Sequence, residues 1–217
     1  MASVSSDKVV ESDTVQQAID AIRADKPVLL PTDGVYGLCA SAYSEAAARN
    51  LYALKGRDES QPTALLASSV EMLFECVPEL RGKAGVIVRT LLPGPYTLVL
   101  SNPAGRYSWL SGLRSDTIGV RVAQLPVAAQ HVLDAVGAVI ASSANDRGMP
   151  PPASLAEVPE RIREACAAEL DSGRLPGQPS TVIDFTDDEP VVLREGSAPS
   201  AEAIARVQAA LSGSGVA

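Results

Sequence analysis

An apolar run, Val28-Leu29-Leu30, breaks at Pro31 into the polar turn Thr32-Asp33-Gly34, and Lys55-Gly56-Arg57 follows after one short helical stretch. That order predicts a buried strand ending at a polar cleft, with positive charge delivered to the cleft rim by the next turn. Such a cleft supports the holding of anions and small polar groups. Other chemistries lack material. The chain contains neither a G-x-x-x-x-G-K-[ST] loop nor a G-x-G-x-x-G turn after a strand, so the two common phosphate-cradling turns are missing. The only histidine, His131, falls within an apolar helical pattern, which leaves a Ser-His-Asp triad or a histidine-rich metal site without its parts. No base is evident for a cysteine nucleophile.

The remaining candidates each have a plain structural reading. Lys55 and Arg57 at a helix C-terminus complement the macrodipole. Ser142-Ser143-Ala144-Asn145 reads as a strand passing into a turn, where Ser and Asn bond their own backbone. Pro179-Ser180-Thr181 is an ordinary strand entry, and Arg194 has Glu195 beside it as a local partner. Pro93-Gly94-Pro95 is a turn.

The elements that must carry these residues follow from periodicity and punctuation. A helix is expected over 12–24, capped by Ser12, with Val15, Ala18, Ile19 and Ile22 on one face. A strand at 28–30 precedes a helix at 44–54, for which Gly56 is the natural stop. A short strand at 63–67 and helices at 69–76 and 79–92 come next. Strands at 96–100 and 117–122 flank a Gly/Ser/Arg-containing loop. Then come a helix at 126–136, a buried strand at 138–141, a helix at 158–170, strands at 181–184 and 191–194, and a helix from Ser200. Strands mixed with helices, without repeats, predict an α/β (α+β) fold, a sheet covered by helices. Residues 12–210 are expected to form one domain, with 1–11 and 212–217 as flexible ends.

The bulk numbers agree. With 217 residues, 46% hydrophobic and 20% charged, one good core is affordable. Aromatics are only 4%, so Ala, Val and Leu must build it. A net charge of −8 opposes a broad hold on nucleic acid, although a cleft can focus the opposite sign locally. Cys39, Cys76 and Cys166 are odd in number and far apart, which argues against a disulfide framework and for a reducing cytoplasm. Neither a signal peptide nor a membrane span is legible, so no membrane association is expected.

Seven segments together carry more than any one of them. They are Pro31-Thr32-Asp33-Gly34-Val35-Tyr36-Gly37-Leu38, Lys55-Gly56-Arg57, Leu92-Pro93-Gly94-Pro95-Tyr96-Thr97, Ile118-Gly119-Val120-Arg121, Ser142-Ser143-Ala144-Asn145, Pro179-Ser180-Thr181-Val182-Ile183-Asp184 and Leu193-Arg194-Glu195-Gly196. In this order, over roughly residues 12–210, the chain resembles the YrdC-like family of threonylcarbamoyl-AMP synthases in its short form, without the further C-terminal domain of longer relatives. The resemblance implies a twisted mixed sheet, largely parallel, flanked by helices with an open cavity on one side. It implies L-threonine, bicarbonate or CO2, and ATP as substrates, with Mg2+ as helper. The products would be threonylcarbamoyl-AMP and pyrophosphate, the former passing to a transferase complex that modifies tRNA.

Carried over residue by residue, the resemblance gives Lys55 and Arg57 the grip on the triphosphate and the catalytic role, joined by Ser143, Asn145 and Arg194 at the nucleotide. It gives Thr32, Arg121, Ser180 and Tyr36 to threonine. Asp33 is left between metal binding and capping of its turn, and no metal ligand is assigned. Departures from the family pattern are Gly34 where many members have Thr, Asp58 in place of a proline, Ala123 in place of another, and Arg147 where S-A-N-x-S-G has its second Ser. Arg147 adds a cation that a phosphate contact would use. Two other readings stand beside synthesis: a non-synthetic relative binding nucleotide or RNA through the same cavity, and a carbamoyl-transfer module like those of hydrogenase-maturation proteins. The acidic balance limits RNA contact in either case.

Overall fold

The structure is a computed structural model that describes residues 6–214. Strands β1 (Val28–Pro31) and β2 (Tyr36–Ser41) form an antiparallel hairpin, with Pro31 opposite Tyr36 across the polar turn. All six residues of β2 are buried. A strand covered on both faces loses the polar–apolar alternation that marks a half-exposed one. That is why residues 36–41 did not read as a strand from the sequence.

Seven further strands complete one sheet: β3 (Ala64–Ala67), β4 (Tyr96–Ser101), β5 (Thr117–Arg121), β6 (Ala138–Ser143), β7 (Ala168–Glu169), β8 (Thr181–Asp184) and β9 (Val191–Arg194). Their spatial order is β7-β1-β2-β6-β3-β5-β4-β8-β9. The sheet is mixed, as expected. Within it antiparallel pairs outnumber parallel ones five to three, so the parallel share is smaller than the resemblance implied.

Successive side chains on a strand point to opposite faces, and here that parity decides where the cavity lies. On one face Leu29, Leu38, Leu65, Leu98, Val120, Ile140 and Ile183 pack in a single core against α2 (Glu45–Lys55), α3 (Val70–Cys76), α4 (Gly82–Leu91) and α7 (Ser200–Ser214). On the other face a smaller core gathers Val28, Leu30, Cys39, Leu66 and Val139 under α1 (Ser6–Arg23) and α5 (Val127–Val136). Those two helices cover only the β1–β2–β6 end. Over β3, β5, β4 and β8 the same face carries Ala64, Gly119, Arg121, Thr97, Val99 and Val182, which line a cavity of about 560 Å³.

Several expectations are corrected. The first helix begins at Ser6, with nothing in the sequence to stop it short of Ser12, and the last runs through 212–214. Residues 1–5 and 215–217, expected as flexible ends, lie outside the described residues. Residues 158–170 are not one helix. Helix α6 (Glu160–Ala165) stops at Cys166. The backbone is then captured by the sheet edge, where the Ala167 and Leu170 N–H groups donate to the Pro27 and Leu29 carbonyls. Ala168 and Leu170 thereby join the smaller core. Strand β6 runs on to Ser143, so Ser142 and Ser143 are the strand's end rather than a turn. Among the described residues no helix is long and apolar enough to cross a membrane.

Candidate active site

Helix α2 is bounded on both sides by the residues its sequence prescribes. Ser44 caps it, its hydroxyl accepting from the Ala47 N–H at 3.2 Å, and Gly56 ends it in the left-handed region at φ 55°. The last turn places Lys55 on the same buried side as Leu51 and Tyr52. Lys55 is therefore not on an exposed rim, as its place after an amphipathic helix suggested. Its Nζ donates to the Ser143 carbonyl at 2.5 Å, to Asn145 Oδ1 at 2.9 Å and to the Asn145 carbonyl. An ammonium has three donors, and here all are spent on the 143–145 turn. Burial, with Arg57 and then Arg161 adding repulsion, brings its pKa down to about 8 against the pull of Asp146. Ser143 Oγ donates to the same Asn145 Oδ1 at 2.6 Å.

Arg57 does reach the cavity. One amino group donates to the Pro62 carbonyl at 2.6 Å and the other lies 3.3 Å from Ser142 Oγ, while its Nε is buried without a partner. Arg121 arrives from the end of β5, and Arg194 from β9, an edge strand. Arg194 donates to the Ser180 carbonyl at 2.7 Å. Burial lowers its pKa, and the charges of Arg121 and Arg57 lower it further. Three guanidiniums thus feel one another across a single cavity in a protein whose net charge is −8. Fixed like charges around a concave, partly desolvated space favour an anion.

Beside the guanidiniums the cavity lining is polar and finely divided. Thr32 Oγ1 donates to the Val35 carbonyl at 2.6 Å, closing the hairpin turn. Asp33 Oδ1 accepts from Arg121 at 2.8 Å, an ion pair in which both side chains are largely buried. Asp33 Oδ2 and Arg121 Nε are left buried without partners. Buried polar groups are normally satisfied, so a pair with a free acceptor and a free donor beside a cavity marks a place for a ligand with both kinds of group. Ser180 Oγ lies 2.8 Å from Thr97 Oγ1. Thr32, Arg57, Arg121, Ser143, Ser180 and Arg194 therefore meet at the cavity. Lys55 and Asn145 line a smaller adjoining cleft of about 160 Å³, which shares Arg57, Ser142 and Ser143 with it.

Tyr36 is the exception among the expected residues. Fully buried, its hydroxyl sits 2.8 Å from Asp171 Oδ1 and 2.7 Å from the Gly173 carbonyl, and accepts from the Ser172 N–H at 3.0 Å. It ties segment 171–179 over the hairpin and is absent from the cavity wall. Sequence reasoning missed Thr97, the partner of Ser180, although it occupies the polar position in the alternation Tyr96-Thr97-Leu98. It also missed Arg114, a cavity residue that Asp184 holds at 2.7 Å.

The tied segment explains Gly34. The Gly177 N–H donates to the Gly34 carbonyl at 2.8 Å, and a Cβ at residue 34 would stand 1.9 Å from the Gln178 carbonyl oxygen. Gly34→Thr is therefore expected to destabilise the protein by about 1–3 kcal/mol, the usual range for overpacking. A denaturant midpoint unchanged from wild type would show that segment 171–179 yields freely.

Comparison with known proteins came to the same region of the chain. The Sua5/YciO/YrdC family model, described as telomere recombination, matches residues 20–196. A Mycobacterium tuberculosis protein provisionally named threonylcarbamoyl-AMP synthase is 34% identical over 194 residues, 89% of this chain and 88% of that one. The crystal structure of Pyrococcus abyssi Sua5 complexed with L-threonine is similar with a TM-score of 0.78 at 34% identity, covering 91% of this chain. This chain spans 57% of that longer protein. Escherichia coli YciO is similar with a TM-score of 0.76 at 26% identity, over 87% of this chain and 91% of its own.

Proposed function

The chain belongs to the Sua5/YciO/YrdC family, and we propose that it makes threonylcarbamoyl-AMP and pyrophosphate from L-threonine, bicarbonate or CO2, and ATP. The observation that carries this reading is the convergence of Arg57, Arg121 and Arg194 on one cavity also lined by Thr32 and Ser180. The threonine amine and CO2 form a carbamate with loss of a proton. A carbamate oxygen attacks the α-phosphorus, the bond from α-phosphorus to the bridging oxygen breaks, and pyrophosphate departs with the electron pair. The nucleophile is already anionic, so the step needs positioning and charge neutralisation rather than a strong base. That suits a chain with a single histidine.

Arg57 and Arg194 hold the triphosphate, and Lys55 sets the 143–145 turn, whose Ser143 and Asn145 complete the nucleotide side. Arg121 takes the threonine carboxylate, for which a guanidinium's paired donors are suited. Thr32 and Ser180 orient the remainder of the amino acid. Among the described residues no group of three or more His, Cys, Asp or Glu could cage a metal. Mg2+ commonly binds through one or two carboxylates plus substrate phosphates, and the unpaired Asp33 Oδ2 fits that mode. When bound, the ion supplies charge neutralisation at the phosphates. The product is a mixed anhydride, suited to hand its carbamoyl group to a transferase complex acting on tRNA in the cytoplasm.

Purified protein with ATP, Mg2+, bicarbonate and labelled threonine tests the reading. Pyrophosphate release should require both threonine and bicarbonate. Nucleotide hydrolysis indifferent to threonine would instead point to the nucleotide-binding alternative.

A further inference from the structure

The small cleft beside the main cavity holds one cation that the reaction above does not use. Arg147 lines it together with Lys55, Arg57, Ser143, Asn145 and one carboxylate, Asp146. Its side chain is exposed and makes no hydrogen bond or ion pair among the described residues. The adjacent Asp146 is not available to it, being paired with Arg161. The opposite charge it does influence is Asp58, on the loop just beyond Arg57. That carboxylate is held below its usual range first by the Ser60 N–H and hydroxyl, and also by Arg147. Asp58 and Arg147 are both departures from the family pattern, and of the two only Arg147 lines the cleft.

Lys55, Arg57 and Arg147 surround about 160 Å³ of space. Lys55 and Arg57 spend donors on carbonyls of the protein, whereas all five Arg147 N–H groups are uncommitted. A polyvalent anion relieves the mutual repulsion of such a set, and a planar guanidinium matches phosphate oxygens in pairs. The cleft joins the main cavity through Arg57, Ser142 and Ser143, so a triphosphate lying along the guanidiniums would extend into it.

We propose that Arg147 is a specificity-determining residue for the two phosphates beyond the α-phosphorus, and that it holds the departing pyrophosphate. The proposal rests on the functional reading above for the identity of the nucleotide, and on the cleft alone for the anion. Arg147 then distinguishes ATP from AMP without touching the threonine side.

Titration calorimetry with inorganic pyrophosphate, ATP and AMP tests this without turnover. Arg147→Ser is expected to weaken pyrophosphate and ATP about tenfold, the loss of roughly one charged hydrogen-bonded contact, with AMP changed by less than about twofold. Arg147→Lys should recover part of that loss, being charged but unable to bond in pairs. Pyrophosphate binding that survives Arg147→Ser undiminished overturns the proposal. So does an equal loss for AMP, which would mean that the 143–145 turn had collapsed. If Arg147-dependent pyrophosphate binding is found in a protein that shows no threonine-dependent synthesis, the cleft assignment stands and the reaction assignment fails.

Discussion

Arg57→Ala is expected to lower kcat/KM for threonine-dependent pyrophosphate release by about 100- to 1,000-fold, the range for removing a fixed donor from developing charge. Among the described residues Arg57 is the cation that lines both the large cavity and the small cleft, which in the proposed reaction puts it on either side of the bond that breaks. The folded state should survive. Arg57 gives up an exposed bond to the Pro62 carbonyl and a long, part-buried one at 3.3 Å to Ser142, and its unpaired Nε is removed with it. Arg57→Lys should not restore full activity, because an ammonium cannot bond Pro62 and a phosphate in the same geometry. Kinetics run beside circular dichroism would decide the matter. Near-wild-type turnover in a well-folded alanine variant would remove Arg57 from the reaction.

Lys55→Met is expected to cost activity and stability together. The thioether fills the volume of the stem, but the Ser143 and Asn145 carbonyls and Asn145 Oδ1 lose their shared donor. Asn145 Oδ1 keeps the Ser143 hydroxyl, while each carbonyl left unmet costs about 1–3 kcal/mol, offset in part because no buried charge remains to be desolvated. With the turn that positions Ser143 and Asn145 released, turnover should fall by about 100-fold, as expected when a positioning contact is lost. The wild-type pH profile carries an independent signature. With a pKa of about 8 in the fold against 10.5 ordinarily, Lys55 loses its proton in the folded protein first. Activity should therefore fall as pH rises through about 8. Over the same window the unfolded chain binds more protons than the native one, so the contribution of Lys55 to stability rises with pH while activity declines. Activity and stability moving together above pH 8 would contradict this role for Lys55.

Much of this architecture was legible in the residues. Helix α2 was readable because Ser44 and Gly56 are local signals, complete within a dozen residues. Strands β8 and β9 were readable for the same reason. What escaped was whatever depends on distant partners. Strand β2 has no alternation because two layers of helices cover it. Residues 167–170 look helical until the Pro27 and Leu29 carbonyls claim their N–H groups. Lys55 looked like a surface cation at a helix end, since nothing local reveals that the 143–145 turn lies over it. Tyr36 sits beside the Thr32–Gly34 turn in sequence and was read as a substrate contact. In space its hydroxyl faces Asp171 and Gly173, across the hairpin from the cavity. The cations themselves were found because position in a shared motif order survives when local context is ambiguous.

Arg194 is carried by an edge strand of the sheet, held on one side by β8 alone and shifted in register between Val182 and Ile183. Every other contributor to the anion site precedes it in the chain. During synthesis on the ribosome the greater part of the core can therefore assemble while the binding site still lacks one wall. If the cavity takes a nucleotide as proposed, the nascent chain can enclose it only once the β8–β9 hairpin has emerged and β8 has zipped against β4.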